Sequence, residues 1–350
     1  MPVSGVWTEA FRVERRGIDV LAGLAGGVAS CLPLALGVAA GEPDIGVAAC
    51  FGGLNAALAV PRGDLRARLG WGTAAALGCG ASFALATAVQ DSAAASAAVA
   101  FVLVGFAAFL RTFGPSGGLT GFVIGAIFVI ANGIPAGSLD VGTRTLWFMV
   151  GSFVGLVLMV VAHGRDAPPP DAAAPPLGRV LERGPRQLRD AIASDALLRA
   201  HALRLASIVA ATTLLYQSLG LEHGYWVPLT VLAVLQPEEH ASDVRAVQRA
   251  AGTLVGTAVI ALLTIATGAE WLMVAAQGIA AFLLFALLSR GYFWLVVLIT
   301  PTALLTISAV DYQGVAVAAE RAAWSALGIV LGLAVAELWR LAPHRATAPG

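Results

Sequence analysis

Arg144 and Arg321 occupy matching places in the two halves of the chain, and each begins the same pattern of side chains. The pattern is Arg144, Trp147, Gly151 and Gly155 in the first half, and Arg321, Trp324, Gly328 and Gly332 in the second. Arginine offers paired N–H donors in a planar fork that matches a carboxylate, so the chemistry this pair could perform is anion binding. The alternative is that both arginines snorkel to a membrane interface, with Glu320 as a partner for Arg321.

The distribution of the other basic residues makes these two unusual. All 21 basic residues are arginines, and if the long apolar runs are membrane spans, 19 fall on one side and these two on the other. Because cytoplasmic loops are rich in arginine, this predicts a multi-pass protein of the bacterial cytoplasmic (inner) membrane with both termini in the cytoplasm. The opposite loops carry mainly acids: Glu42, Asp44, Asp91, Asp140, Glu222, Glu270 and Asp311.

The composition argues against several classes of protein. Hydrophobic residues make up 58% of the chain and charged residues 12%, which is about half the charge of a soluble domain. The net charge of zero gives no reason to expect nucleic acid as a partner. The three cysteines lie in apolar stretches at spacings that do not suit a metal, so we expect no metal and no cofactor. The sequence has no HExxH motif, Ser/His/Asp set or paired carboxylates, and we do not expect an enzyme.

Apolar runs of spanning length recur along the whole chain. A helix needs about 20 residues to cross the ~30 Å hydrocarbon layer, and twelve runs come close to that length. They cover about 18–40, 44–60, 69–89, 93–110, 117–134, 145–162, 203–220, 224–236, 250–267, 271–288, 292–308 and 322–340. The sequence therefore predicts an all-α integral membrane protein with about 12 transmembrane helices.

The two halves also repeat in register. Arg68, Arg111 and Arg144 have counterparts at nearly constant offset in the second half, namely Arg249, Arg290 and Arg321. Six spans are an even number, so both halves enter from the same side and form two parallel six-helix repeats about an axis along the membrane normal. The predicted segments are a cytoplasmic N-terminal segment (1–17), the first repeat (18–163), a cytoplasmic Pro/Ala-rich linker with a short amphipathic helix after Pro185 (164–202), the second repeat (203–340) and a cytoplasmic tail (341–350).

Other side chains could couple substrate transport to an ion gradient or gate the pathway through such a protein. Pro228 and Pro301 lie in the eighth and eleventh spans, where each would free a carbonyl for a substrate, or simply kink the helix for packing. No Asp, Glu or His occupies the centre of a span, so a midplane proton relay is not expected. Coupling groups must then come from span ends, and the candidates are Glu222, His223, Asp311 and Glu320.

The stretch from Gly224 to Gly256 carries a resemblance to a known family. It reads GYWVPLTVLAVLQPEEHASDVRAVQRAAGTLVG and resembles the membrane domain of the fusaric acid resistance and aromatic acid exporter family. The matching positions are Tyr225, Trp226, Leu229, Thr230, Gln236, Pro237, Arg249, Gly252, Thr253 and Gly256, followed by Tyr292, Thr300, Pro301, Glu320, Arg321, Gly328 and Gly332. The resemblance covers 200–340, whereas 18–163 is only a degenerate copy with Phe51, Gly52 and Gly53 in place of the Tyr-Trp opening.

This resemblance implies a transporter that exports small organic, and especially aromatic, carboxylates. The substrate-binding candidates are Arg144, Arg321, Tyr225, Trp226, Thr230, Arg249, Thr253 and Thr300. For Tyr225 and Trp226 the alternative is anchoring in the interfacial aromatic belt. For Arg249 the alternative is a structural role as one of the arginines that mark the cytoplasmic side of the membrane.

Two other functions stay open from the sequence. One is an anion channel, since plant aluminium-activated malate channels look distantly similar and a channel needs no midplane carboxylate. The other is a non-transporting membrane accessory protein. The partners expected are a small organic anion and membrane lipid, and either a second copy of the chain or a periplasmic efflux partner is compatible with this interpretation.

Overall fold

The computed structural model of this chain describes residues 3–12, 17–135, 137, 139–165, 177–266, 270–309 and 314–341. Within these ranges the regular secondary structure consists of α-helices and short 3-10 turns, which confirms the all-α class. The helices are α1 (Val3–Ala10), α2 (Val20–Ala39), α3 (Pro43–Ala59), α4 (Leu65–Val89), α5 (Ala93–Phe109), α6 (Gly114–Gly133), α7 (Val141–Ala162), α8 (Leu177–Ser194), α9 (Ala196–Ser218), α10 (Trp226–Val234), α11 (Glu239–Ala266), α12 (Glu270–Leu287), α13 (Tyr292–Ile307) and α14 (Gly314–Leu341).

Twelve of these helices, α2–α7 and α9–α14, coincide in order with the twelve apolar runs. Among the described residues, seven stretches are long and apolar enough to cross a membrane: Val20–Ala39, Leu65–Val89, Ala93–Gly133, Val141–Ala162, Ala196–Ser218, Trp271–Arg290 and Ala316–Trp339. The third stretch holds two helices, α5 and α6, which pack against each other across a 3-10 turn and Gly114, whose φ is 83°. The chain is a multi-pass helical membrane protein, and the count of twelve crossings stays a prediction.

Helix α10 differs most from its predicted span. It has only nine residues, all of them buried, and rises about 13 Å, less than half of the hydrocarbon layer. The sequence placed the eighth span over 224–236, already on the short side, and the helix observed there is shorter still. The chain leaves the helical conformation at Leu235, and Pro237 keeps Gln236 out of the α region because its ring clashes with a helical preceding residue.

The helices that carry the paired arginines begin earlier than hydropathy indicates. The apolar runs start at 145 and 322, whereas α7 begins at Val141 and α14 at Gly314. Asp140 caps α7, since its carboxylate accepts from the Thr143 N–H at 3.0 Å and from the Thr143 hydroxyl at 2.6 Å. These hydrogen bonds lower the pKa of Asp140. Arg144 and Arg321 consequently project from within helices rather than from loops.

The linker helix also begins earlier than predicted. Helix α8 starts at Leu177 and contains Pro185, whereas the sequence placed an amphipathic helix after that proline and continuous with the next span. A separate helix, α9, begins at Ala196, where the Asp195 side chain accepts from the Leu198 N–H at 2.9 Å. This cap separates the linker helix from the membrane helix.

The two halves pack their helices in the same pairs. In the first half α7 packs against α3 and α4, and in the second half α14 packs against α10 and α11. The pair α4 and α6 is matched by α11 and α13, while α2 against α12 and α5 against α9 join the halves. Gly151 of α7 lies on the carbonyl of Ala49, and its counterpart Gly328 of α14 lies on Val227 and Thr230. A duplicated six-helix unit predicts this pattern.

The predicted topology has a direct test. Reporter fusions at Gly350 and near Pro170 are expected to give cytoplasmic signals, and fusions near Glu42 or Glu270 are expected to give periplasmic ones, because twelve crossings would place 19 of the 21 arginines on the first side. Alkaline phosphatase and green fluorescent protein fusions would report opposite sides at each position. A periplasmic signal from the Gly350 fusion would overturn the assignment.

Candidate functional site

The second half contains a buried arginine stacked on a buried tryptophan. Arg321, on α14, has its guanidinium carbon 3.3 Å from the centre of the Trp226 ring, and both residues are 2% exposed. Among the described residues, Nε and Nη1 of Arg321 have no hydrogen-bond partner. A desolvated cation–π contact contributes about 2 kcal/mol, while burying an arginine at membrane depth costs about 2.5–3.5 kcal/mol on lenient scales. The ring therefore offsets only part of the cost.

A second buried arginine lies close to the first. Arg249, on α11, is 4% exposed and interacts electrostatically with Arg321. Its Nε and Nη2 also lack a hydrogen-bond partner in the described part of the chain, as does the hydroxyl of Thr253 one turn further along α11. Two buried like charges repel each other. A bound anion that accepts hydrogen bonds from the unpartnered N–H groups would therefore stabilise this arrangement. We call Arg321, Arg249 and Trp226 the arginine cluster.

Tyr225 closes one side of the arginine cluster. Its ring centroid lies 4.5 Å from that of Trp226, and Tyr225 also interacts electrostatically with Arg321. The ring packs against Gly133 at the end of α6, where even a methyl group would overlap it. Tyr225 is 2% exposed, so it is a packed wall of the cluster rather than an interfacial anchor in contact with lipid.

The threonine candidates fall in different places. Thr230 is buried one turn along α10, with its hydroxyl 3.5 Å from that of Ser325, which lies one turn beyond Arg321. Thr300 donates instead to the Val296 carbonyl of its own helix at 2.9 Å and packs against Gly256. Thr230 and Thr253 therefore lie beside the cluster, whereas the hydroxyl of Thr300 makes its hydrogen bond within α13.

Arg144 has hydrogen-bond partners within the described part of the chain, in contrast to Nε and Nη1 of Arg321. It is 6% exposed, and it donates to the carbonyls of Ile134 and Pro135 at 3.1 and 3.3 Å and to the Thr87 hydroxyl at 3.4 Å. Its guanidinium carbon lies 5.1 Å from the centre of the Phe83 ring. The matching sequence positions of Arg144 and Arg321 thus do not give matching environments, because Arg144 ties α7 to the segment after α6.

The coupling candidates lie at the ends of the helices. The Nδ1 atom of His223 is 2.9 Å from a Glu320 carboxylate oxygen, so Glu320 engages His223 although it precedes Arg321 in the chain. His223 adopts a positive φ of 57°, which turns the segment before α10. Glu222 is exposed at the mouth of an outer pocket. Asp311 lies outside the described residues.

The two prolines act differently from each other. Pro228 lies in the first turn of α10, where helical N–H groups have no partner within the helix, and the Gly224 carbonyl accepts from Val227 at 3.0 Å. The expectation that Pro228 frees a carbonyl was therefore wrong. Pro301 is inside α13, and the Val297 carbonyl that it leaves free faces Gly256 of α11. This carbonyl is covered by helix packing.

Two pockets lie at opposite ends of this region. The pocket at the predicted cytoplasmic end has a volume of about 670 Å³, and its polar lining consists of Arg111, Gln236, Arg245 and Tyr292. The pocket at the predicted outer end has a volume of about 850 Å³ and includes Gln90, Asp91, Asn132, Tyr216, Gln217 and Glu222. Tyr292 interacts electrostatically with Arg321, and the Gly133 that packs on Tyr225 lines the outer pocket. The arginine cluster therefore has one pocket on each side.

Sequence reasoning missed the polar network at the outer pocket. The side-chain oxygen of Asn132 accepts from the Tyr216 hydroxyl at 3.0 Å and from the Gln217 amide at 2.7 Å, and the Asn132 amide donates to Ser96 at 2.9 Å. This network joins α5 and α6 of the first half to α9 of the second. An asparagine at the end of an otherwise apolar run was the signal that could have identified it.

Comparison with known proteins agrees with the motifs. Residues 209–335 match the family described as fusaric acid resistance protein-like. A segment of 63 residues is 44% identical to an uncharacterised protein, ORF2, of Neisseria gonorrhoeae, and it spans 18% of this chain and 15% of that protein. No solved structure matches the chain at a significant level. The matched range holds Trp226, Arg249 and Arg321, so the resemblance drawn from these residues is confirmed: residues 209–335 are similar to the fusaric acid resistance protein-like family.

Proposed function

We propose that this chain is an inner-membrane transporter that exports small organic anions, aromatic carboxylates foremost, and that the arginine cluster is its binding site. The observation that carries the proposal is the pair of buried guanidinium groups, Arg321 and Arg249, with unpartnered N–H donors among the described residues. A carboxylate placed between them would accept those donors, and charge-assisted hydrogen bonds contribute about 1.5–3 kcal/mol each.

The aromatic preference rests on the rings beside the arginines. Trp226 and Tyr225 lie 4.5 Å apart, centre to centre, and one of them already stacks with a guanidinium. An aromatic acid could place its carboxylate on the arginines and its ring against these side chains. Fusaric acid, which gives the matched family its description, is itself an aromatic carboxylic acid.

The route through the protein follows from the neighbours of the cluster. Tyr292 lines the cytoplasmic pocket and interacts electrostatically with Arg321, and Tyr225, which also interacts with Arg321, packs against Gly133 of the outer pocket. We expect a substrate that moves between either pocket and the cluster to pass one of these aromatic side chains. Closed barriers on both sides of a buried site are what alternating access requires, and they favour a transporter over an open channel.

Flux measurements test this function. Purified protein in proteoliposomes would be given a panel of aromatic acids, including benzoate, with and without a pH gradient, and protein-free liposomes would serve as the control. We expect saturable flux of at least one acid, because transport through a single buried site saturates. Flux that rises linearly without saturation, independently of the gradient, would favour an anion channel. A lack of flux across the panel would favour a non-transporting accessory protein.

A further inference from the structure

The cytoplasmic pocket is distinct from the arginine cluster and has its own cations. Arg111 precedes α6 in the first half, whereas Arg245 on α11 and Tyr292 on α13 belong to the second. The guanidinium carbon of Arg245 lies 3.9 Å from the centre of the Tyr292 ring, and Arg111 donates to the Gln236 side-chain oxygen at 2.8 Å. Stacking and hydrogen bonding hold both cations facing the same space, which lies between the two halves.

The two pockets carry opposite charge. The lining of the cytoplasmic pocket includes Arg111 and Arg245 and no carboxylate among the described residues, although Glu238 acts electrostatically on Arg111 from nearby. The lining of the outer pocket includes Asp91 and Glu222 and, within the described part of the chain, no cation. Clefts of one sign concentrate ions of the other and raise their association rates. An anion is therefore attracted at the cytoplasmic end and repelled at the outer end.

Tyr292 connects the cytoplasmic pocket with the buried site. Its hydroxyl has no hydrogen-bond partner among the described residues, and it interacts electrostatically with Arg321. The same ring therefore bears the Arg245 cation on the pocket side and lies near the arginine cluster on the other. Tyr292 is therefore the side chain that links the cations of the cytoplasmic pocket with the arginine cluster.

We propose that Arg111, Arg245 and Tyr292 form a loading site for organic carboxylates on the cytoplasmic face, and that its charge contrast with the outer pocket favours capture of the anion from that face. The proposal rests on the proposed function and adds to it a second anion site, on the face where export begins. The carboxylate binds across the two guanidinium groups, and its organic part lies against the apolar wall formed by Leu119, Phe122 and Leu295.

Side-specific kinetics test the loading site. Everted and right-side-out membrane vesicles, with vector-only vesicles subtracted, would be given radiolabelled benzoate at the cytoplasmic and outer faces respectively. For the double variant Arg111→Gln/Arg245→Gln we expect the half-saturating concentration at the cytoplasmic face to rise by about 10-fold, with a maximal rate within twofold of the wild type. The increase should shrink at high salt, where the Debye length falls to about 3 Å at 1 M. The half-saturating concentration at the outer face should not change.

Three further double variants separate the loading site from a general charge effect or a folding defect. Arg186→Gln/Arg189→Gln removes the same charge from exposed positions on α8 and should leave the half-saturating concentration unchanged. Arg111→Lys/Arg245→Lys keeps the positive charge that concentrates anions in the pocket, so its half-saturating concentration should stay within a few-fold of the wild type. Asp91→Asn/Glu222→Gln should lower the half-saturating concentration at the outer face, because the repelling charge is gone.

Several results would overturn the loading site. These are an unchanged half-saturating concentration in the glutamine double variant, an equal change at both faces, or the same change in the α8 control. If wild-type flux is saturable and sensitive to Arg321 while these results occur, the proposed function stands and the loading site falls. If no acid in the panel is carried by the wild type, the proposed function fails, and the loading site fails with it.

Discussion

The Arg321→Gln protein is expected to lose about 99% of its anion transport while it remains folded and inserted. Among the described residues, Nε and Nη1 of the buried Arg321 have no hydrogen-bond partner. Each charge-assisted hydrogen bond contributes about 1.5–3 kcal/mol, so the loss of one or two corresponds to roughly 100-fold. Arg321→Lys should retain about a tenth of the activity, since an ammonium cannot reproduce the bidentate fork. Initial rates in proteoliposomes, together with half-saturating concentrations, measure both effects.

Arg144 provides the matched control for Arg321. It has the same place in the sequence pattern, but its guanidinium donates to the Ile134 and Pro135 carbonyls of the protein itself. The Arg144→Lys protein is expected to lose thermal stability and to keep a half-saturating concentration within twofold of the wild type. A fully active Arg321→Lys protein, or equal effects of the two lysine substitutions on substrate affinity, would contradict a binding role for Arg321.

The Gly151→Ala substitution is expected to have the largest effect on folding. A Cβ at this position would overlap the Ala49 carbonyl oxygen, and the Ala49 Cα and carbonyl carbon are also too close, so that α7 and α3 would have to separate along their contact. Backbone atoms cannot rotate away as a side chain can. Overpacking typically costs about 1–3 kcal/mol, and a contact with backbone belongs at the upper end or beyond. We expect a sharply reduced yield of monodisperse protein and a lower melting temperature.

Gly105 on α5 is the matched control for Gly151. A Cβ at Gly105 would lie 3.4 Å from the Ala206 Cβ, an ordinary van der Waals contact. Gly105→Ala should therefore express and melt like the wild type, or slightly above it, because alanine is the better helix former. Size-exclusion profiles and thermal melts in detergent compare the pair. A Gly151→Ala protein as stable as Gly105→Ala would mean that α3 and α7 are not packed so closely.

The membrane class and the motif residues could be predicted from the sequence because the information is local. Hydropathy located twelve helices in order, since the bilayer requires about 20 apolar residues for each crossing helix. The family motif singled out Trp226, Arg249 and Arg321, and the structure brings these three together although they are distant in the chain. Helix starts were less predictable. Arg321 was placed before its span because the charges of Glu320 and Arg321 interrupt the apolar run, although α14 begins at Gly314.

Sequence alone determined the helical membrane class, the asymmetric placement of arginine and the repeat of Arg144 in Arg321, because composition, hydropathy and spacing are properties of the chain itself. Only the tertiary structure decided that the two arginines differ: one donates to the carbonyls of Ile134 and Pro135, and the other lies on Trp226 beside Arg249. It also decided that α10 is a buried half-helix and that Arg111 and Arg245 share a pocket. The physical reason is that hydrogen bonding and the pairing of buried charge depend on which helices pack together, and a one-dimensional pattern does not contain those contacts.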